Sequence, residues 1–178
     1  MQTNIEPPTE ELHHVWPWKT SPSVVRLAEA DEVEDMMELM RDAADEQALF
    51  PMDEVKARAM LDRAFLRQGG IIGVIGPKGR IEAALYMLLA QPLYSESWHI
   101  EEVFQVVRRQ YRRSGHAKAL IEFAKRCSDD LGVPVLMGVL HNKRTEAKIR
   151  LYQRHLGPRV GAFFLYGHPG YGLTKKAD

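Results

Sequence analysis

The sequence predicts a mixed α/β domain: a mostly antiparallel central sheet of six to seven strands, flanked by about four helices. Two observations carry this. Apolar runs of strand length alternate with stretches whose apolar residues recur every three or four positions. The early strands are joined by a hairpin signal while the later ones are separated by helices, and that combination makes a mixed sheet with helices on both faces. At 178 residues, 45% hydrophobic and 27% charged, the chain suits one compact domain with a real core.

Residues 1–23 hold four prolines and show no period, so they read as an irregular tail, and the domain is expected over 24–167. VVRLA (24–28) reads as a short strand. In 31–47, Val33, Met36, Met37, Met40 and Ala44 keep helical spacing, with Asp31 as expected N-cap and Glu34 as its capping-box partner. A second helix is expected over 53–67, with Val55, Ala59, Leu61, Ala64 and Phe65 repeating, and Gly69-Gly70 stops it. IIGVIG (71–76) and RIEAALYMLLA (80–90) are two apolar runs joined across Pro77-Lys78-Gly79, a hairpin. SWHIEEVFQVV (97–107) is the next strand. The helix 114–132 places Ala117, Leu120, Ile121, Ala124, Cys127 and Leu131 on one stripe, so Cys127 reads as a buried structural thiol. VPVLMGVL (133–140) is a strand, 145–157 a helix and RVGAFFLYG (159–167) a strand; 168–178 is a tail or a seventh, short edge strand.

Composition excludes several classes. No apolar run reaches membrane-span length and no signal-peptide apolar region opens the chain, so a cytoplasmic protein is expected. One cysteine excludes an intramolecular disulfide and a cysteine zinc site, and the adjacent His13 and His14 lack ligand spacing, so no metal is expected. Net charge is zero yet unevenly spread: residues 1–55 hold 14 acidic and 3 basic side chains, and 56–178 hold 10 and 21. Two surfaces with different partners follow, one cationic and one anionic.

The cationic half concentrates in RRQYRRSGHAKAL (108–120), four arginines around a Ser-Gly turn that runs into an amphipathic helix. A turn at Gly115 lets backbone N–H groups converge, and a helix start leaves its first amides unpaired. A phosphate or diphosphate satisfies both, with the helix dipole favouring its charge. Arg108, Arg109, Arg112 and Arg113 cannot all reach one diphosphate.

That loop, after the fourth strand, resembles the diagnostic segment of the GNAT superfamily of acetyl-CoA-dependent N-acyltransferases: a strand ending in valine, then Arg/Gln-x-x-Gly-x-Gly/Ala, then a helix. Here Val107 is followed by Arg112-Arg113-Ser114-Gly115-His116-Ala117. The resemblance covers roughly 24–167 and implies that these residues hold acetyl-CoA. It implies a general acid at Tyr152, since the Leu151-Tyr152 pair stands late in the helix after the fifth strand; a phenol keeps its proton at neutral pH. The asparagine the family places after the fifth strand is not matched in register: Thr145 stands at that spacing and Asn142 lies three residues earlier, and the resemblance makes Asn142 the candidate to contact the coenzyme from the loop. The fourth strand offers Glu101 and Glu102 as the base. Strict alternation puts Glu101 on the face of Val103 and Val107, which favours Glu101 and leaves Glu102 as the alternative. The Val107 amide would polarise the thioester carbonyl.

The expected reaction is direct attack of a primary amine, on a small molecule or a protein, on acetyl-CoA. The strongly acidic first helix is compatible with a cationic acceptor. Two other readings stand beside it: a coenzyme A-binding domain with a structural or interaction role, and a basic nucleic-acid-binding module. The last is disfavoured because the arginines sit on a sharp loop and the aromatics fall in core runs. Membrane partners are not expected, and a homodimer is left open.

Overall fold

The computed structural model describes residues 21–47, 50–140 and 144–164. Its elements run β1 (Arg26–Leu27), α1 (Val33–Gln47), α2 (Glu54–Phe65), β2 (Gly70–Ile75), β3 (Ala83–Ala90), β4 (His99–Val107), α3 (His116–Leu131), β5 (Val135–Leu136) and α4 (Thr145–Leu156), with short 3-10 turns at Ala30–Glu32 and Arg109–Tyr111. The element order matches the order read from the sequence as far as α4. The sheet differs in extent: it has five strands in the order β1-β2-β3-β4-β5. Residues 159–164 form no strand, and the rest of that expected strand, the 168–178 tail and Asn142 lie outside the described residues.

β1 to β4 pair antiparallel, and β4 pairs β5 parallel. Two apolar clusters cover the faces. On one, Met36, Met37 and Leu39 of α1 and Leu61 of α2 pack on Val74, Ala84 and Tyr86, with Phe104 and Val106 of β4 beside them. On the other, Leu120, Phe123 and Ala124 of α3 pack on Ile75, Ala83, Leu85 and Met87, with Ile100 of β4 and Val107 joining. Burying such side chains contributes about 1.5–3 kcal/mol each, which is what clamps helices to both faces.

Local signals worked unevenly. Asp53 caps α2 by accepting a hydrogen bond from the Lys56 amide at 3.0 Å. Ahead of α1 the expected Asp31 cap is displaced: the chain turns earlier, at Glu29, whose amide donates to the Glu32 carboxylate at 3.0 Å. Glu32 is in turn clamped by Arg26 of β1, so a tertiary ion pair chose the start of the turn. Val55, expected on the buried stripe of α2, is exposed, and Ala57 takes its place in the core.

Two features of β4 position everything that follows. β4 carries a β-bulge: Tyr86 pairs Phe104 but Met87 pairs Glu102, so Val103 is an extra residue in the ladder. And β5 pairs β4 only at Ile100–Val135 and Glu101–Leu136. Beyond Glu101, among the described residues, the two parallel strands part.

Candidate active site

The parting of β4 from β5 opens a cleft of about 190 Å³, lined by Gln105, Val106 and Val107 of β4, Arg112 and Ala117 at the start of α3, Arg144, Ala147, Lys148 and Leu151 of the α4 region, and Ala43 of α1. The backbone of β4 offers donors to this gap. The Arg108 amide donates to the Glu82 carbonyl across the β3 side at 2.9 Å, so alternation turns the Val107 amide the other way, into the gap, and the Gln105 amide with it. The Val107 carbonyl, facing the same way, accepts from Arg112 Nε at 3.2 Å.

The arginines divide according to their partners. Arg108 points back into the fold: its Nε donates to the Ile81 carbonyl at 2.7 Å, and its guanidinium meets Asp42 at 2.9 Å and Glu38 at 3.2 Å on α1. It staples the end of β4 to two other elements and is spent there. Arg109 and Arg113 are exposed. Arg112 lines the cleft together with Arg144 and with Lys148, which is ion-paired to Glu102.

At the start of α3 the first helical backbone bond runs from Ala119 N to Gly115 O at 3.0 Å, so the amides of Ala117 and Lys118 precede it and point out of the helix. Ser114 Oγ caps the His116 amide at 3.2 Å. Two sequence assignments change here. The His116 side chain turns away from the cleft and is fully buried, so only its backbone belongs to the loop. Gly115 has φ −78, a conformation any residue adopts. Its small size instead accommodates Ser23, whose Oγ would lie 3.3 Å from a Cβ added there.

Next to Leu151, and bonded to the cleft-lining Gln105, Tyr152 is 6% exposed. Its hydroxyl lies 2.7 Å from Glu102 Oε2 and 2.7 Å from Gln105 Oε1, and its single proton serves one at a time. Lys148 Nζ reaches Glu102 Oε1 at 2.8 Å and stands 5.2 Å from the Tyr152 ring centroid. Burial, and then the Glu102 carboxylate, push the phenol well above its ordinary pKa, so it holds its proton. Sequence reasoning missed Gln105 and Lys148; Lys148 stands four residues before Tyr152, one helical turn away, and that spacing was the available signal.

The bulge inverts the expected faces of the two glutamates. With Val103 extra, Glu102 shares the α3 face with Gln105 and Val107, while Glu101 falls on the α1/α2 side. Glu101 is the open one: its side chain is 52% exposed, 3.9 Å from His99 Nε2, whereas that of Glu102 is 3% exposed. Cys127 is half-buried on α3, and burial raises its thiol pKa, which leaves it an inert packing residue.

No protein-family model and no curated protein matches the sequence. Solved structures do match. AAC(6')-Iy, in complex with the bisubstrate analogue CoA-S-monomethyl-acetylneamine, is similar at TM-score 0.62 and 14% identity over 80% of this chain and 95% of that one. A Staphylococcus aureus GNAT family acetyltransferase is similar at TM-score 0.52 and 15% identity over 68% of this chain and 88% of that one. This chain has the GNAT fold. A Trypanosoma brucei acetyltransferase shares it at TM-score 0.58 and 23% identity, over 79% of this chain and 95% of the other. In the GNAT fold of this chain, Arg112 and Ala117 line the cleft where β4 and β5 part, and Tyr152 packs beside it, bonded to the lining Gln105.

Proposed function

We propose that the protein is an N-acetyltransferase that moves an acetyl group from acetyl-CoA to a primary amine by direct attack in a ternary complex. The observation that carries this reading is the gap between β4 and β5, with inward-facing amides on one side and a proton-holding phenol beside it, bonded to the lining Gln105. The residues fit the coenzyme: the start of α3 offers amides to a diphosphate, and Arg112 and Arg144 bring guanidinium groups to the cleft. Acetyl-CoA would supply the acetyl group activated as a thioester.

Each remaining role belongs to a residue of this chain. The amides of Val107 and Gln105 point where an acyl oxygen gains charge and would stabilise it, as oxyanion donors do. Tyr152 gives a proton to the departing sulfur, its phenol kept protonated by burial and by Glu102. Glu102, ion-paired to Lys148, holds the Tyr152 hydroxyl in place. Glu101, open to solvent on the α1/α2 side, takes the proton from the acceptor ammonium. The parity argument for Glu101 fails at the bulge, and accessibility replaces it: an amine can reach a half-exposed carboxylate and not one sealed beneath Tyr152. Backbone amides lie in the plane of the sheet, so a group in the gap is open to both faces. The coenzyme then lies toward α3 and α4, and the amine arrives from α1 and α2.

The AAC(6')-Iy complex, whose analogue joins coenzyme A to acetylneamine, supports an amino-bearing acceptor. Calorimetric titration with acetyl-CoA, then an acetyl-transfer assay over an amine panel read by mass spectrometry, tests the reading. Tight binding with acetyl transfer to an amine is expected. Binding without transfer to any amine would refute the enzyme reading in favour of a coenzyme-binding module, and no binding would refute both.

A further inference from the structure

A second set of reactive side chains lies outside the cleft, at the join between β3, the start of α3 and the segment before β1. Glu82 and His116 are both fully buried. His116 Nε2 stands 2.8 Å from Glu82 Oε2, and His116 Nδ1 stands 2.8 Å from Ser23 Oγ. The Ser21 amide and hydroxyl donate to Glu82 at 3.0 and 2.6 Å, and Arg80 lies 3.4 Å from it. Burial alone would raise the Glu82 carboxyl; the hydrogen bonds from His116 and Ser21 outweigh it and hold the group ionised.

A carboxylate only accepts, so His116 Nε2 carries a hydrogen toward Glu82. In the neutral ring Nδ1 is then left as a lone pair, and the Ser23 hydroxyl donates to it. This is the chain of nucleophile, base and orienting carboxylate by which serine becomes reactive, with the imidazole reversed so that Nδ1 faces the hydroxyl. The parts are placed usefully. His116 and Glu82 are sealed from water, while Ser23 belongs to an exposed stretch. Its oxygen sits against Gly115, 3.3 Å from where a Cβ would stand, next to the helix start from which the Ala117 and Lys118 amides emerge. Those amides, which also serve the proposed diphosphate site, can donate to an oxyanion when no coenzyme occupies them.

We infer that Ser23, His116 and Glu82 form a second reactive centre that hydrolyses small carboxylic esters, a reaction distinct from the proposed amine acetylation although both draw on the amides at the start of α3. Ser23 Oγ attacks the ester carbonyl carbon and its proton passes to His116 Nδ1, the imidazolium being stabilised by Glu82. The ester C–O bond breaks, and the departing alkoxide takes the proton from Nδ1 as the alcohol. Water attacks the acyl-Ser23 and gives a proton to Nδ1; the carboxylic acid leaves as Ser23 recovers that proton.

The test uses the full chain with a fluorophosphonate probe, the adduct mapped by mass spectrometry, and with p-nitrophenyl acetate as substrate. An adduct on Ser23 is expected, together with ester hydrolysis above the buffer rate that falls to background in Ser23→Ala. Glu82→Gln should slow adduct formation by about 10²-fold or more, as loss of an orienting carboxylate does in serine hydrolases. Ser23→Ala alters an exposed residue and keeps the experiment decisive if Glu82→Gln does not fold. A folded wild-type chain with no adduct on Ser23, or a Ser23→Ala chain that hydrolyses the ester at the wild-type rate, overturns the inference.

Discussion

Tyr152→Phe separates the proton from the ring. The substitution keeps the packing of a side chain that is 6% exposed and deletes only the hydroxyl that lies 2.7 Å from Glu102 and from Gln105. Two magnitudes follow. If Tyr152 is the general acid, turnover falls by about 10²–10⁴-fold, while acetyl-CoA binding stays within a few-fold because the helix start and Arg112 are untouched. Stability falls as well, since a hydrogen bond to a charged group is lost; Lys148 still pairs with Glu102 at 2.8 Å and limits the damage. A loss of about 2 kcal/mol is expected, and for a chain of this size that lowers Tm by about 4–8 °C. Single-turnover acetyl transfer and calorimetry of both chains measure the two effects. The phenol also gives alkaline instability a sign. Its folded pKa lies above the ordinary value of 10.0, so its contribution is complete below that pH and is lost as pH rises beyond it, and Tyr152→Phe should flatten that limb. Unchanged single-turnover rate in a folded Tyr152→Phe chain refutes the acid role. An unchanged Tm refutes the weight given to the hydrogen bond.

Four other outcomes are expected. Glu101→Gln should slow acetyl transfer most at neutral pH, with partial recovery at higher pH where the amine deprotonates in solution; a pH–rate profile with no such recovery counts against Glu101 as base. Arg112→Ala should weaken acetyl-CoA binding by about 10–100-fold, the worth of one charge-assisted contact, and calorimetry reads it directly. Gly115→Ala should also weaken binding, through the 3.3 Å contact with Ser23 Oγ, so that adding Ser23→Ala restores affinity; failure to restore would place the crowding elsewhere. Glu82 is held below its ordinary range, so its contribution is present above about pH 4.3 and lost as pH falls. Acid unfolding followed by circular dichroism should therefore be shallower in Glu82→Gln.

Much of this protein is written in local pattern. Periodicity is a property of neighbouring residues, so β2, β3, β4, α1, α2, α3 and α4 could be read within a few positions of where they stand. The same holds for the loop: a glycine turn followed by an amphipathic helix marks a helix start with unpaired amides, which is local geometry. Tyr152 was also legible, because its place late in one helix follows from counting. What the sequence could not decide are matters of partnership. The bulge at Val103 arises from how β4 registers against β3, and one extra residue exchanges the faces of Glu101 and Glu102. Four arginines look alike in a string. Arg108 is spent on Ile81, Glu38 and Asp42 because α1 and the segment leading into β3 come within its reach, whereas Arg112 bonds the Val107 carbonyl and lines the cleft beyond the point where β5 stops pairing, at Leu136. Glu82 and His116 are 34 residues apart, one inside an apolar run and one at the start of α3. Only folding brings them to 2.8 Å, and only burial together makes a charged side chain tolerable in that run.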